Sequence, residues 1–117
     1  MEIDEKYFAK EWIDSWNSHD LERILAHYAD DLEITTPMIK LTLGIDTGIL
    51  SGKENIRKYW ESALKKIPDL FFELKEVTSS INSIALCYKS VMGKIAIEVM
   101  FFNEQGKINK VIAHYTK

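Results

Sequence analysis

A single cysteine, Cys87, leaves the 117-residue chain without any internal disulfide, so its stability must come from a packed core and not from cross-links. Prolines number two and glycines five, which excludes collagen-like and low-complexity architectures. No window approaches the roughly 18 uncharged apolar residues of a membrane span, and no membrane partner is expected. Lysines and arginines do not gather on one helix face, and the formal net charge is -3, so nucleic acid is not an expected partner either. His-x-x-x-His and Cys-x-x-Cys spacings are missing, as is a glycine-rich phosphate loop. Neither a metal nor another cofactor is therefore expected. The opening "MEIDEKYF" is acidic where a secretory signal begins with positive charge, which points to a cytoplasmic protein.

What is present is ordinary globular material, 46% hydrophobic and 28% charged, in one domain over residues 1–117. Phe8, Trp12 and Trp16 recur every fourth position from Asp4 onward, the stripe of an amphipathic helix. "NSHD" interrupts it, and Leu21, Ile24, Leu25 and Tyr28 restart it as a short second helix. "LEITTP" reads as a strand closed by Pro37. Residues 38–52 show no helical period and read as a short hairpin or mobile flap. Ile56, Tyr59, Trp60, Ala63, Leu64 and Ile67 mark a third helix, ended by Pro68. "LFFELKEV", "SIALCYKSVM", "KIAIEVMFF" and "KINKVIAHYT" then read as strands joined by "TSSINS", "GK" and "NEQG". Helices first and a strand meander afterwards make an α+β fold, in which a curved antiparallel sheet forms a cone around three helices of the N-terminal half. Three helices cannot fill so long a sheet, so a pocket is expected at the open end.

Glu98 is the sharpest single feature, a carboxylate inside the apolar strand "AIEVMFF". On the same side as Ala96 and Met100, it would be desolvated and held in its neutral form, a hydrogen-bond donor or general acid. The plainer alternative is a buried structural carboxylate. Trp12, Trp16, Tyr28, Tyr59 and Trp60 belong to core stripes, yet they carry more N–H and O–H tips than a small core usually hides, and they are candidate pocket walls. Met38, Tyr88 and Met100 are further candidates.

On the last strand only one of His114 and Tyr115 can face the pocket. A two- or four-residue "NEQG" turn brings Tyr115 inward, whereas a three-residue turn with a bulge at Gly106 would set His114 beside Glu98 as a second catalytic group. The opposite face, with Ile95, Ile97, Val99, Phe101 and Ile112, is apolar enough that a homodimer through the outer sheet face is expected.

The run "WIDSWNSHDLERILAHYADDLEITTP", followed by "SGKENIRKYWESAL" and "FNEQGKINKVIAHY", resembles the nuclear-transport-factor-2-like superfamily, also called the SnoaL-like family. The resemblance covers nearly the whole chain and implies the same cone and dimer. Among its members, the ketosteroid isomerases have an oxyanion-hole aspartate in an "IDVM"-like strand, which corresponds to Glu98 in "IEVM". Their tyrosine donor on the first helix falls at Trp12, their supporting tyrosines fall at Tyr28 and Trp60, and their general-base aspartate falls at Thr36. Thr36 is no base and an indole is a weaker donor than a phenol, so steroid isomerisation is not expected. Three functions remain. The first is a cofactor-independent enzyme of isomerase, cyclase or hydrolase type acting on a small hydrophobic molecule with Glu98 as acid or base. The second is a non-catalytic binding module for such a ligand, and the third is a dimeric interaction domain with a filled core.

Overall fold

The four-residue recurrence of Phe8, Trp12 and Trp16 becomes α1 (Glu5–Ser18) in a computed structural model that describes residues 3–117; of the acidic opening run, Met1 and Glu2 lie outside them. Asp4 caps the helix by accepting a hydrogen bond from the Tyr7 amide at 3.1 Å, which satisfies one of the free N–H groups of the first turn. His19 ends it in the left-handed conformation, φ 60°. Asp20 then caps the short α2 (Leu21–Leu25). Tyr28, expected on that second helix, instead opens β1 (Tyr28–Thr35).

The expected hairpin or flap at residues 38–52 contains a fourth helix. Thr36 caps α3 (Pro37–Leu43), with Pro37 in its first turn, a position where the missing proline N–H costs nothing. Its one buried residue is Ile39, too little to print a period on the sequence. The chain then returns as β2 (Ile49–Ser51), antiparallel to β1 with Thr35 opposite Ile49. Gly48 secures the return: at φ 68° it lies against Thr36, and a Cβ there would meet the Thr36 carbonyl oxygen at 2.9 Å. Next comes α4 (Lys53–Lys66).

The second half is β3 (Glu73–Ser80), β4 (Ser83–Lys89), β5 (Ile95–Phe102) and β6 (Ile108–Tyr115). Among the described residues six strands run in the order β2-β1-β6-β5-β4-β3, and only the β1–β6 pair is parallel. The β4–β5 connection is not the tight "GK" hairpin of the sequence reading. Val91 and Met92 leave the strand and form a turn with Gly93, in which Met92 has φ 58°. α1 packs against β3 and α4 against β1, so the large side chains of both helices meet over the inner sheet face. The α+β cone is thus observed, with four α-helices among the described residues in place of three. Among the described residues no helix is long and apolar enough to cross a membrane.

Candidate functional site

Alternation along β5 sends Ala96, Glu98 and Met100 to the inner face and Ile97 outward, where it is 45% exposed. Glu98 lies opposite Leu86 on β4 and Ala113 on β6, so apolar neighbours surround it in the sheet. Above it the helices leave a cavity of about 500 Å³.

The last strand settles which aromatic neighbours Glu98 has. The turn after β5 is held by the Asn103 side chain, which accepts from the amides of Gln105 and Lys107. A bulge follows, since Phe101 faces Lys110 and Phe102 faces Ile108. Tyr115 consequently falls opposite Ala96 and lines the cavity, whereas His114 falls opposite Ile97 on the outer face and is exposed. The acid/base pair of Glu98 with His114 is not formed, because the turn and the bulge together keep His114 on the other side of the sheet.

Tyr88, on β4, donates its phenolic hydrogen to Glu98 Oε2. Burial raises the Glu98 pKa to about 7, against a smaller opposing effect of that hydrogen bond, because desolvation penalises the charged form and the phenol favours it. Burial, then the nearby Glu98 charge, pushes the Tyr88, Tyr28 and Tyr115 phenols far up. Burial also raises Tyr59. All four therefore stay protonated near neutrality and keep their O–H groups as donors, that of Tyr88 already given to Glu98. The Thr36 hydroxyl and the Tyr88 phenol lie near that of Tyr115 and temper its shift. Glu98, Tyr88, Tyr115 and Thr36 thus form one polar cluster on an otherwise apolar wall.

Of the residues singled out in the sequence, Trp16, Thr36, Met38, Tyr59, Trp60 and Tyr88 line the cavity, together with Glu98 and Tyr115. Trp12, Tyr28 and Met100 do not; they are buried core residues at 1%, 2% and 0% exposure. Each points inward, but Trp12 lies beneath the rings of Phe72 and Tyr88, at 6.0 and 5.3 Å between centroids. Its indole N–H donates to Tyr28 Oη at 2.8 Å. The buried Trp16 indole N–H lies near the same oxygen without completing a hydrogen bond.

The sequence reading missed Leu70 and Phe72, which line the cavity from the segment before β3. Phe72 is locked in place by Asn17: its amide donates to Asn17 Oδ1 at 2.7 Å, and its carbonyl accepts from Asn17 Nδ2 at 2.9 Å. The "LFF" run was the available signal. Also missed were Lys58, Ser62 and Lys66 on α4 at the cavity edge, whose polar character reads as solvent exposure. Among the described residues no three His, Cys, Asp or Glu side chains converge as a ligand set would.

The model of the SnoaL-like domain matches residues 9–115. Among solved structures, a SnoaL-like protein of unknown function from Burkholderia thailandensis is 43% identical. That match covers 96% of this chain and 93% of the other, with a TM-score of 0.93. A protein described as a candidate isomerase of the SnoaL-like family, from Agrobacterium tumefaciens, is 18% identical over 97% of both chains at a TM-score of 0.76. An NTF2-like protein of unknown function from Cytophaga hutchinsonii is 15% identical over 99% of this chain and 93% of its own, at 0.75. These last two show the fold alone. No curated protein matches significantly.

Proposed function

The chain belongs to the SnoaL-like domain family, and we propose that within it this protein is a small enzyme that transfers a proton to or from a hydrophobic organic molecule. The observation that carries this reading is Glu98, a carboxyl on the wall of an apolar cavity with its pKa raised to about 7. Both protonation states are then populated near neutral pH, the condition under which one group serves as acid and base. Tyr88 occupies Oε2, leaving Oε1 to take a proton from the carbon beside a ligand carbonyl and to return one to it. Tyr115 and Tyr59 line the same cavity and add donors that can stabilise the negative charge developing on the carbonyl oxygen.

Deuterium exchange at the α-carbon of 2-tetralone, a bicyclic ketone small enough for the cavity, tests the proposal by NMR. Exchange should be catalysed with an apparent pKa near that of Glu98 and be lost in Glu98→Gln. Saturable binding of the ketone with no exchange would favour the second reading, a binding module. That reading has its own support: among the lining residues Glu98 is the one acid, and no histidine joins it. Absence of both binding and exchange would count against either.

Steroid isomerisation is not part of the proposal, because Thr36 offers a hydroxyl already engaged in accepting from the Met38 amide at 3.2 Å. An unconjugated steroid ketone should give no conjugated enone in a spectrophotometric assay. Its formation, abolished by Glu98→Gln, would mean that Glu98 itself supplies the base missing at Thr36; its formation retained in that variant would mean that a base is supplied elsewhere.

We further propose self-association through the outer sheet face. Ile97 is 45% exposed there, with Cys87 beside it on β4, and Val99 lies between Ala85 and Ile112. Phe101 continues the strip under the Lys110 ammonium, 5.9 Å from its ring centroid. Such a contiguous apolar strip is costly to leave in water. Sedimentation should show a wild-type dimer and a monomeric or aggregated Val99→Lys variant, because the new charge would sit near its symmetry mate. A wild-type monomer at micromolar concentration would refute the arrangement.

A further inference from the structure

The sequence of α4 contains five basic residues, Lys53, Arg57, Lys58, Lys65 and Lys66. Three of them are neutralised by carboxylates on the protein surface. Lys53 lies 3.9 Å from Asp30, Lys65 lies 3.5 Å from Glu61, and Arg57 pairs with both Glu22 and Glu54. Lys58 and Lys66 differ: both line the cavity, and among the described residues neither forms an ion pair. Eight residues separate them, about 12 Å along the helix axis, and Ser62 lines the same opening between them. The cavity edge therefore carries two uncompensated positive charges over apolar walls, where field lines are concentrated and an anion is drawn in.

We propose that the ligand of this pocket is an apolar organic anion, its hydrophobic body lying against Trp60, Leu70 and Phe72 and its charged group held at the opening by Lys58 and Lys66. The inference rests on the pocket reading above and names the class of molecule that the pocket takes. The two ends of the cavity are chemically separate. Only burial and Tyr88 set the proton affinity of Glu98, so the lysines do not ionise it. An anionic group placed on Glu98 itself would meet like charge once that carboxyl ionised, whereas at the opening it meets the reverse. A ligand oriented in this way presents its uncharged end, with any carbonyl or hydroxyl, to Glu98 and Tyr88. Lys58 and Lys66 are in this sense specificity determinants and take no part in proton transfer.

Two fluorescent probes that differ by one sulfonate, 8-anilinonaphthalene-1-sulfonate and N-phenyl-1-naphthylamine, test the charge requirement directly. Ala63→Trp, which fills the cavity from α4, should remove binding of both and so assign it to the pocket. The double substitution Lys58→Gln/Lys66→Gln should weaken the sulfonate about five- to tenfold, the size expected of two partly exposed ion pairs, and leave the neutral probe within about twofold of wild type. Lys65→Gln, on the paired side of the same helix, should change neither. Equal effects on the two probes, or no effect on the sulfonate, would overturn the proposal while leaving an apolar pocket. If neither probe binds, or both bind unaffected by Ala63→Trp, the pocket reading itself fails and the anion preference falls with it. Circular dichroism of each variant establishes that it is folded.

Discussion

Replacing Glu98 with glutamine is expected to stabilise the protein at pH 8 while abolishing any proton-transfer activity. The folded carboxyl keeps its proton up to about pH 7, whereas its ordinary pKa is 4.5. Between these values the unfolded chain releases a proton that the folded chain retains, so rising pH favours unfolding. The cost begins near the unfolded pKa, grows through the folded one and is constant above it. Two and a half pKa units correspond to about 3.4 kcal/mol at most. Part of Glu98 faces the cavity, where water screens it, so about 2 kcal/mol is the better expectation. Glutamine has the same shape, can still accept from Tyr88 and cannot ionise. Its melting temperature at pH 8 should exceed that of wild type by on the order of 5–10 °C, with the difference shrinking toward pH 5. A variant less stable than wild type at pH 8 would make Glu98 a structural ion-pair partner, since removing one member of a buried pair leaves the other uncompensated. The trade of stability for function would then be absent.

Trp12→Ala is expected to cost about 3–5 kcal/mol, the range for removing a fully buried large aromatic side chain. Domains of this size are stable by roughly 5–15 kcal/mol, so the melting temperature should fall by more than about 10 °C. Two effects add. The indole supports Phe72 and Tyr88 by ring contact, and its N–H supplies the hydrogen bond to Tyr28. Trp12→Phe separates them: it retains a ring and should lose only about 1 kcal/mol with the donor. Because Tyr88 is the residue that holds Glu98, loosening its support should also raise the Glu98 pKa by weakening that bond. A loss below about 1 kcal/mol in Trp12→Ala would mean that the aromatic cluster does not hold the pocket wall.

Trp12 also illustrates why the inner face was readable and the cavity wall was not. A helical stripe states which side of α1 turns away from water, and strand alternation states the same for β5; Ala96, Glu98 and Met100 were accordingly found on the inner face. Neither pattern carries depth. Trp12 and Trp16 lie on one stripe and both contact the Phe72 ring, yet Trp12 is buried while Trp16 reaches the cavity. The Phe72 ring beside them is placed by its hydrogen bonds to Asn17, between residues 55 apart in the chain.

The α+β order, the helices α1 and α4 and the four long strands were determined by the sequence alone, because each depends on a period repeated over many residues. So was the anomaly of Glu98, which needs only the alternation of its own strand. α3 escaped because one buried residue, Ile39, makes no period. The choice between His114 and Tyr115 belonged to the tertiary structure, since side-chain parity on β6 depends on the turn at Asn103 and on the bulge after it together. An error of one residue in either would have exchanged the two faces. The proton affinity of Glu98 was likewise decided in three dimensions, where the apolar wall raises it and Tyr88 from the neighbouring strand limits the rise. The charges of Lys58 and Lys66 acquire a direction for the same reason, because only the packing of α4 over the sheet places them on the cavity while Lys65 remains with Glu61.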